Sequence, residues 1–136
     1  MDDLSTALQI SASGMRAQSG RIRVVAENIA NANSTAETPD ADPYRRQVPV
    51  FSSYLDRSSG ANLVEVSRIA IDSSDFTLRY DPSHPSADEE GYIRLPNVNP
   101  LIEMMDLREA QRSYEANLGA LDSVRSMAGA TLRILE

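Results

Sequence analysis

The sequence predicts an α+β fold: two long terminal α-helices, pairing as a coiled coil, enclose a small β-rich middle domain. Near the N-terminus, positions alternating four and three residues apart are Leu4, Leu8, Ser11, Met15, Gln18, Ile22, Val25, Ile29 and Ala32, seven of nine of them apolar. Near the C-terminus the same rhythm selects Met104, Leu107, Gln111, Tyr114, Leu118, Leu121, Arg125, Ala128, Leu132 and Leu135, eight of ten apolar when Tyr114 is counted. Rows sustained over that length are heptad seams. Between them the hydrophobic period shortens to two, as strands require.

These signals divide the chain into an N-terminal coiled-coil helix over residues 1–33, a linker loop and β-rich domain over 34–98, and a C-terminal coiled-coil helix over 99–136. The first helix is expected from about Leu4 to Ala32, a rod of roughly 43 Å. Seven of the ten residues Ser11 to Gly20 are Ser, Ala or Gly. Gly14 and Gly20 each cost about 1 kcal/mol relative to Ala, so packing rather than propensity must hold this helix. A kink at these residues and close approach of a neighbouring helix are both compatible with such a composition. Asn28, Asn31 and Asn33 mark its end, because Asn accepts the left-handed conformation and can bond orphan carbonyls.

Ser34 to Pro43 reads as a loop. Val48, Val50 and Phe51 read as a strand that Pro49 confines to an edge. Leu63 to Ile71 is the best strand in the chain and Phe76 to Tyr80 another, with Asp72, Ser73, Ser74 and Asp75 supplying turn-forming side chains between them. Asp81 to Gly91 is a second loop, after which Tyr92 to Leu95 is extended. Asn99 then fits an N-cap, with Pro100 at the first helical position and Glu103 in the first turn.

Composition narrows the function. The net charge is −7 over 136 residues. All 13 basic residues are Arg, and they are scattered, so no basic patch offers a phosphate-binding surface. Residues 34–100 hold eleven acidic and six Arg side chains, leaving the helical ends near neutral. Such a division suits packing of the ends and solvation of the middle. The absence of cysteine excludes disulfides, thiolate metal sites and Cys nucleophiles. No apolar run approaches a membrane span, and the acidic start Met1-Asp2-Asp3 lacks the features of a cleavable signal, so any export is expected to proceed without one.

Enzymatic chemistry finds little support. His84, the single histidine, lies between prolines in an acidic loop. One imidazole with loosely spaced carboxylates fits no ligand template, and an ordinary turn is the simpler reading. Asp88, Glu89 and Glu90 are adjacent and poorly placed to act as an acid/base pair. Asn33-Ser34-Thr35 matches a glycosylation sequon but lacks a secretory context. Tyr44-Arg45-Arg46 is the one local basic spot, read either as a contact to a neighbouring subunit's acid or as solvated Arg on a strand edge. No catalytic residue, metal ligand or cofactor site is therefore expected. A single apolar stripe per helix also falls short of the entropy lost on ordering it, which favours helices that order fully among neighbours.

Ala26-Glu27-Asn28-Ile29-Ala30-Asn31-Ala32-Asn33 resembles the Asn-Ile-Ala-Asn signature of bacterial flagellar rod and hook proteins. Further stretches resemble the proximal-rod branch of that family: Pro43-Tyr44-Arg45-Arg46-Gln47, Asp81-Pro82-Ser83-His84-Pro85, Gly91-Tyr92-Ile93-Arg94, Pro96-Asn97-Val98-Asn99-Pro100, Glu103-Met104 and Arg112-Ser113-Tyr114-Glu115-Ala116-Asn117. Ser34 stands where Thr is common in the family. The resemblance implies a non-enzymatic structural subunit, exported unfolded through the flagellar type III apparatus. It implies helical polymerisation in the periplasm-spanning rod of the basal body, with the terminal helices forming an inner layer known as D0 and torque passing from motor to hook. Implied neighbours are copies of itself, the rod proteins FlgB, FlgF and FlgG, and the rod-base adaptor FliE, without nucleic acid or a membrane span. The alternative from heptads alone is a soluble cytoplasmic coiled-coil adaptor.

Overall fold

A computed structural model describes residues 2–135. Its elements are α1 (Asp2–Ala30), β1 (Gln47–Leu55), β2 (Asn62–Ile71), β3 (Thr77–Tyr80), β4 (Tyr92–Leu95) and α2 (Pro100–Leu135). The α+β expectation holds: two long helices flank two small sheets, β1 with β2 and β3 with β4. Since each sheet has two strands, every strand is an edge, the setting in which a proline such as Pro49 within β1 is tolerated. The chain forms two compact units, and the division falls within α1, β1, β2 and α2.

The first unit comprises α1 as far as Ile22, Pro49–Arg68, and α2 from Arg108 onward. Its small residues allow close approach. A Cβ on Gly14 would lie 2.7 Å from Asn117 Oδ1, so the two helices touch where α1 has no side chain. One face over, Ser13 is 1% exposed; its hydroxyl donates to the Ile10 carbonyl and accepts the Val64 amide at 3.3 Å. Gly20 lies against Val66. The Ser/Ala/Gly-rich stretch thus serves close packing against both α2 and β2, and α1 runs through it as one helix of 29 residues.

The second unit comprises Arg23–Val48 and Ile69–Leu107. Val24, Val25, Ile93 and Val98 form its apolar centre, with Asn28 and Glu103 equally buried among them. Strands β3 and β4 pair antiparallel, Leu78 opposite Arg94 and Tyr80 opposite Tyr92, the two tyrosine rings edge to face at 5.3 Å. Phe76 lies under the guanidinium groups of Arg45, at 4.2 Å, and Arg94, at 5.5 Å. Arg94 also reaches Asp42 and the carbonyls of Pro39 and Ala41, tying the 34–43 loop to β4.

Gly91, the residue before β4, has φ +88°, and a Cβ there would meet Tyr80 Cε2 at 2.8 Å and Pro82 Cβ at 3.1 Å. Gly91→Ala combines a disfavoured backbone region with a clash against a ring and a proline. It should destabilise the second unit by about 2–4 kcal/mol, readable as a lower urea midpoint with unchanged m.

The start of α2 follows expectation: Asn99 Oδ1 accepts the Leu101 amide at 3.1 Å, and the Asn99 carbonyl accepts that of Glu103. The end of α1 follows it in part: the helix stops at Ala30, just before Asn31, but not through a left-handed residue. Among the described residues no residue other than glycine has positive φ, so none of Asn28, Asn31 and Asn33 is a left-handed cap. Instead Asn31 Nδ2 donates back to the Glu27 carbonyl at 2.9 Å, and Ile29 and Asn31 carbonyls close the final turns. Asn28 is inside the helix and wholly buried.

Candidate functional site: a buried polar hub and an exposed helical seam

In the second unit, side chains far apart in sequence converge on Asn28. Its Oδ1 accepts the Tyr44 hydroxyl at 2.7 Å and the Gln47 amide at 3.0 Å. Its Nδ2 donates to the Gln47 carbonyl at 2.8 Å and to Glu103 Oε2 at 3.2 Å. Two acceptor and two donor positions are all that a primary amide has, and all are used. The Asn28 amide takes both backbone groups of Gln47, as a neighbouring strand would, so α1 fixes the beginning of β1 by a side-chain imitation of a ladder.

Glu103, the residue that sequence position assigned to the helix dipole, has a side chain only 1% exposed. Its other oxygen accepts from Arg46 Nε. Arg46 also reaches Asp72 at 3.5 Å and Asp106 at 3.6 Å. Burial alone would lower the Arg46 guanidinium, but the hydrogen bond and charge of Glu103, with Asp72 and Asp106, outweigh it and hold its pKa above the ordinary value. Arg46 is therefore neither a solvated edge residue nor free to take up a neighbour's acid: it is an internal counter-ion. Arg45 is likewise engaged, over Phe76 and with the Ser74 carbonyl at 3.3 Å.

Asn97 completes the hub. Its Oδ1 accepts the Arg46 amide at 2.7 Å, and its Nδ2 donates to the carbonyls of Asp72 and Ser74 and to the Ser74 hydroxyl. Burial, then the charges of Glu27 and Glu103, raise the Tyr44 phenol above its usual value and keep it a donor to Asn28. The arrangement joins the last turn of α1, the start of β1, the 72–74 turn and the first turn of α2. Its polar groups are bonded to one another, which makes it a joint between these segments.

Asp72 gives the joint an acid sensitivity. The Ser74 backbone amide, the Ser74 hydroxyl and then Arg46 hold its carboxyl below the ordinary value near 3.8. A carboxylate with a depressed folded pKa stabilises the fold above that ordinary value and loses its contribution as pH falls through the lowered one. Stability should therefore fall below about pH 4, and Asp72→Asn should flatten that limb of a urea-midpoint-against-pH curve.

The seam residues fall into two groups. In α1, Val25 is buried, and Leu4, Leu8, Met15, Ile22 and Ile29 are half-buried. In α2, Leu107, Tyr114 and Leu121 are half-buried, whereas Met104 (48%), Leu118 (40%), Leu132 (53%) and Leu135 (76%) are exposed. Within the first unit, Met15, Tyr114 and Leu121 come together and line one groove of about 320 Å³ with Ala12, Arg16 and Ser19. The face of α2 that is covered is stepped one residue back, through Glu103, Ala110, Asn117 and Val124. Glu103, Ala110 and Asn117 are charged, small or polar, so a search for apolar rows passes over them. The apolar row through Met104 and Leu118 is displayed instead, alongside Met105 and Met127.

The remaining motif residues are spread: Pro96 is buried beside the hub residue Asn97, Ala30 and Glu115 are exposed, and Asn117 faces Gly14. His84 belongs to neither hub nor seam; its ring bonds to Ser86 and Thr35. No group of three or more His, Cys, Asp or Glu placed to hold a metal occurs among the described residues, and none of their helices is long and apolar enough to cross a membrane.

Two family patterns match the chain. The one described as flagella basal body rod protein covers residues 8–36, and the one described as flagellar basal body rod FlgEFG protein C-terminal covers residues 89–134. A flagellar basal-body rod protein FlgC of Agrobacterium fabrum is 50% identical over 136 residues, 100% of this chain and 98% of that protein. The FlgC of Borreliella burgdorferi is 40% identical over 98% of each chain, and that of Bacillus subtilis 43% identical over 93% of this chain and 95% of its own length. The hub residues Asn28 and Glu103 fall one in each family pattern.

Proposed function

We infer function from one premise: the chain belongs to the FlgC family of flagellar basal-body rod proteins, and it is a structural subunit of the bacterial flagellar basal-body rod. We propose in addition that it takes its place in the proximal rod, assembles helically through its terminal helices as a D0-like layer, and passes torque from motor to hook without enzymatic activity. The division into helical ends at 1–33 and 99–136 around a middle at 34–98 is part of this proposal. So are the neighbours FlgB, FlgF, FlgG and FliE, a periplasm-spanning location, and export by the type III apparatus without a cleaved signal.

The observation that supports assembly is the row of apolar side chains displayed along α2, from Met104 and Leu118 to Leu132 and Leu135. A soluble adaptor that dimerised through its heptads would offer the same row, but the rod-protein relatives favour assembly in the rod. Deleting the gene and restoring it on a plasmid tests the proposal. Hook–basal bodies should be absent from the deletion strain, and the restored chain should copurify with them. Normal basal bodies in the deletion strain would refute it.

A further inference from the structure

We propose that His84 is a proton-operated clasp, which holds the 81–91 loop to the 34–43 loop only while its imidazole is neutral. The ring is bonded at both ends. Nδ1 lies 3.0 Å from the Ser86 backbone nitrogen and 2.8 Å from the Ser86 hydroxyl, and Nε2 lies 3.3 Å from the Thr35 hydroxyl. A backbone N–H only donates, so Nδ1 must accept, and the ring proton of the neutral form belongs on Nε2, facing Thr35. Ser86 is 7% exposed, so its amide has little access to water as a substitute partner.

A second proton has one place to go, Nδ1, where it would confront the Ser86 N–H. The Ser86 hydroxyl can turn and accept, but the backbone amide cannot. Relief requires the ring to swing away, and because the ring is rigid the Thr35 contact at its far end is lost with the Ser86 contact. The turn around it is otherwise held by two backbone bonds, from the His84 amide to the Asp81 carbonyl and from the Ala87 amide to the His84 carbonyl.

The charged groups on the two loops do not rescue the cation in place. On its own loop Asp81 is engaged by Arg79 and Ser83, and Asp88 accepts the amides of Glu90 and Tyr92, while Glu89 and Glu90 are exposed. On the facing loop Asp42 is paired with Arg94, and Glu37 and Asp40 are exposed. None of them forms an ion pair with His84 among the described residues. The Ser86 amide leaves no room for a proton on Nδ1 in the clasped geometry. That exclusion makes the clasp a switch: protonation of the ring opens it.

As His84 is the single histidine, its ring signals in the ¹⁵N-labelled full-length chain are unambiguous. At pH 8 the nitrogen shifts should show a bare Nδ1 and a protonated Nε2. As the ring takes its second proton, exchange of the Ser86 amide, corrected for intrinsic rate, should accelerate about tenfold, the worth of one to two hydrogen bonds. In His84→Gln, whose carbonyl can accept the same amide without titrating, that pH step should vanish. An Nδ1-protonated tautomer at pH 8, an unchanged Ser86 amide in wild type, or the same step in His84→Gln would each overturn the proposal. The first two are read on the wild-type chain and stand even if the variant does not fold.

Discussion

Arg46→Met should destabilise the folded chain by about 3–5 kcal/mol, the largest effect expected of any single substitution in the hub. The reason is the partner left behind. Glu103 is 1% exposed and has Arg46 as its one cationic contact among the described residues, so the variant strands a buried carboxylate while methionine fills much of the vacated volume. Pairing the change with Glu103→Leu removes the stranded charge and should recover most of the loss. Urea unfolding of the two single variants and the double variant measures this directly. A loss below about 1 kcal/mol in Arg46→Met would mean that the hub is not what joins α1 to α2 in the second unit.

The hub also shows where the sequence could be read and where it could not. Elements with a strong period were legible: the ten residues of β2, and the Asn99-Pro100 start of α2, fall where alternation and capping chemistry put them. Polar residues were misread, because a sequence shows what a side chain can do locally and not what it meets. Asn28 reads as a helix stop and Glu103 as a dipole partner, yet 75 residues separate them and they bond at 3.2 Å. Arg46 reads as surface for the same reason. What linked these positions was the family resemblance, since Asn28, Tyr44, Arg46 and Asn97 all lie in its motifs, and the structure supplies the physical cause that joins them. The α2 register shows the complementary failure. An apolar-row search selects the exposed Met104 and Leu118 together with the half-buried Leu107, Tyr114 and Leu121, and passes over Glu103, Ala110 and Asn117 on the covered side.

That distinction separates two substitutions that a heptad reading would treat alike. Leu118 is 40% exposed, so Leu118→Asp should lower the stability of the isolated chain by only about 1 kcal/mol. In a rod, where the proposal buries this row against neighbours, the same carboxylate would cost several kcal/mol in every subunit. Synthesis and export should persist, whereas hook–basal bodies and swimming should be lost. Leu121→Asp also should abolish motility, but for a mixed reason. Leu121 is half-buried and lines one groove with Met15 within the first unit, so its loss would weaken the subunit as well as its contacts. Swimming motility in a Leu118→Asp strain with normal basal bodies would remove the displayed row from the assembly.

The most direct measurement uses the chain's lack of cysteine. Leu118→Cys introduces a single thiol on the displayed face of α2, and a maleimide reagent reports whether water reaches it. In the purified chain the thiol should label fully. In hook–basal bodies isolated from a motile strain carrying the variant, it should be protected until the rod is dissociated. Equal labelling in both states would show that this face stays in solvent within the rod, contradicting assembly through the exposed seam.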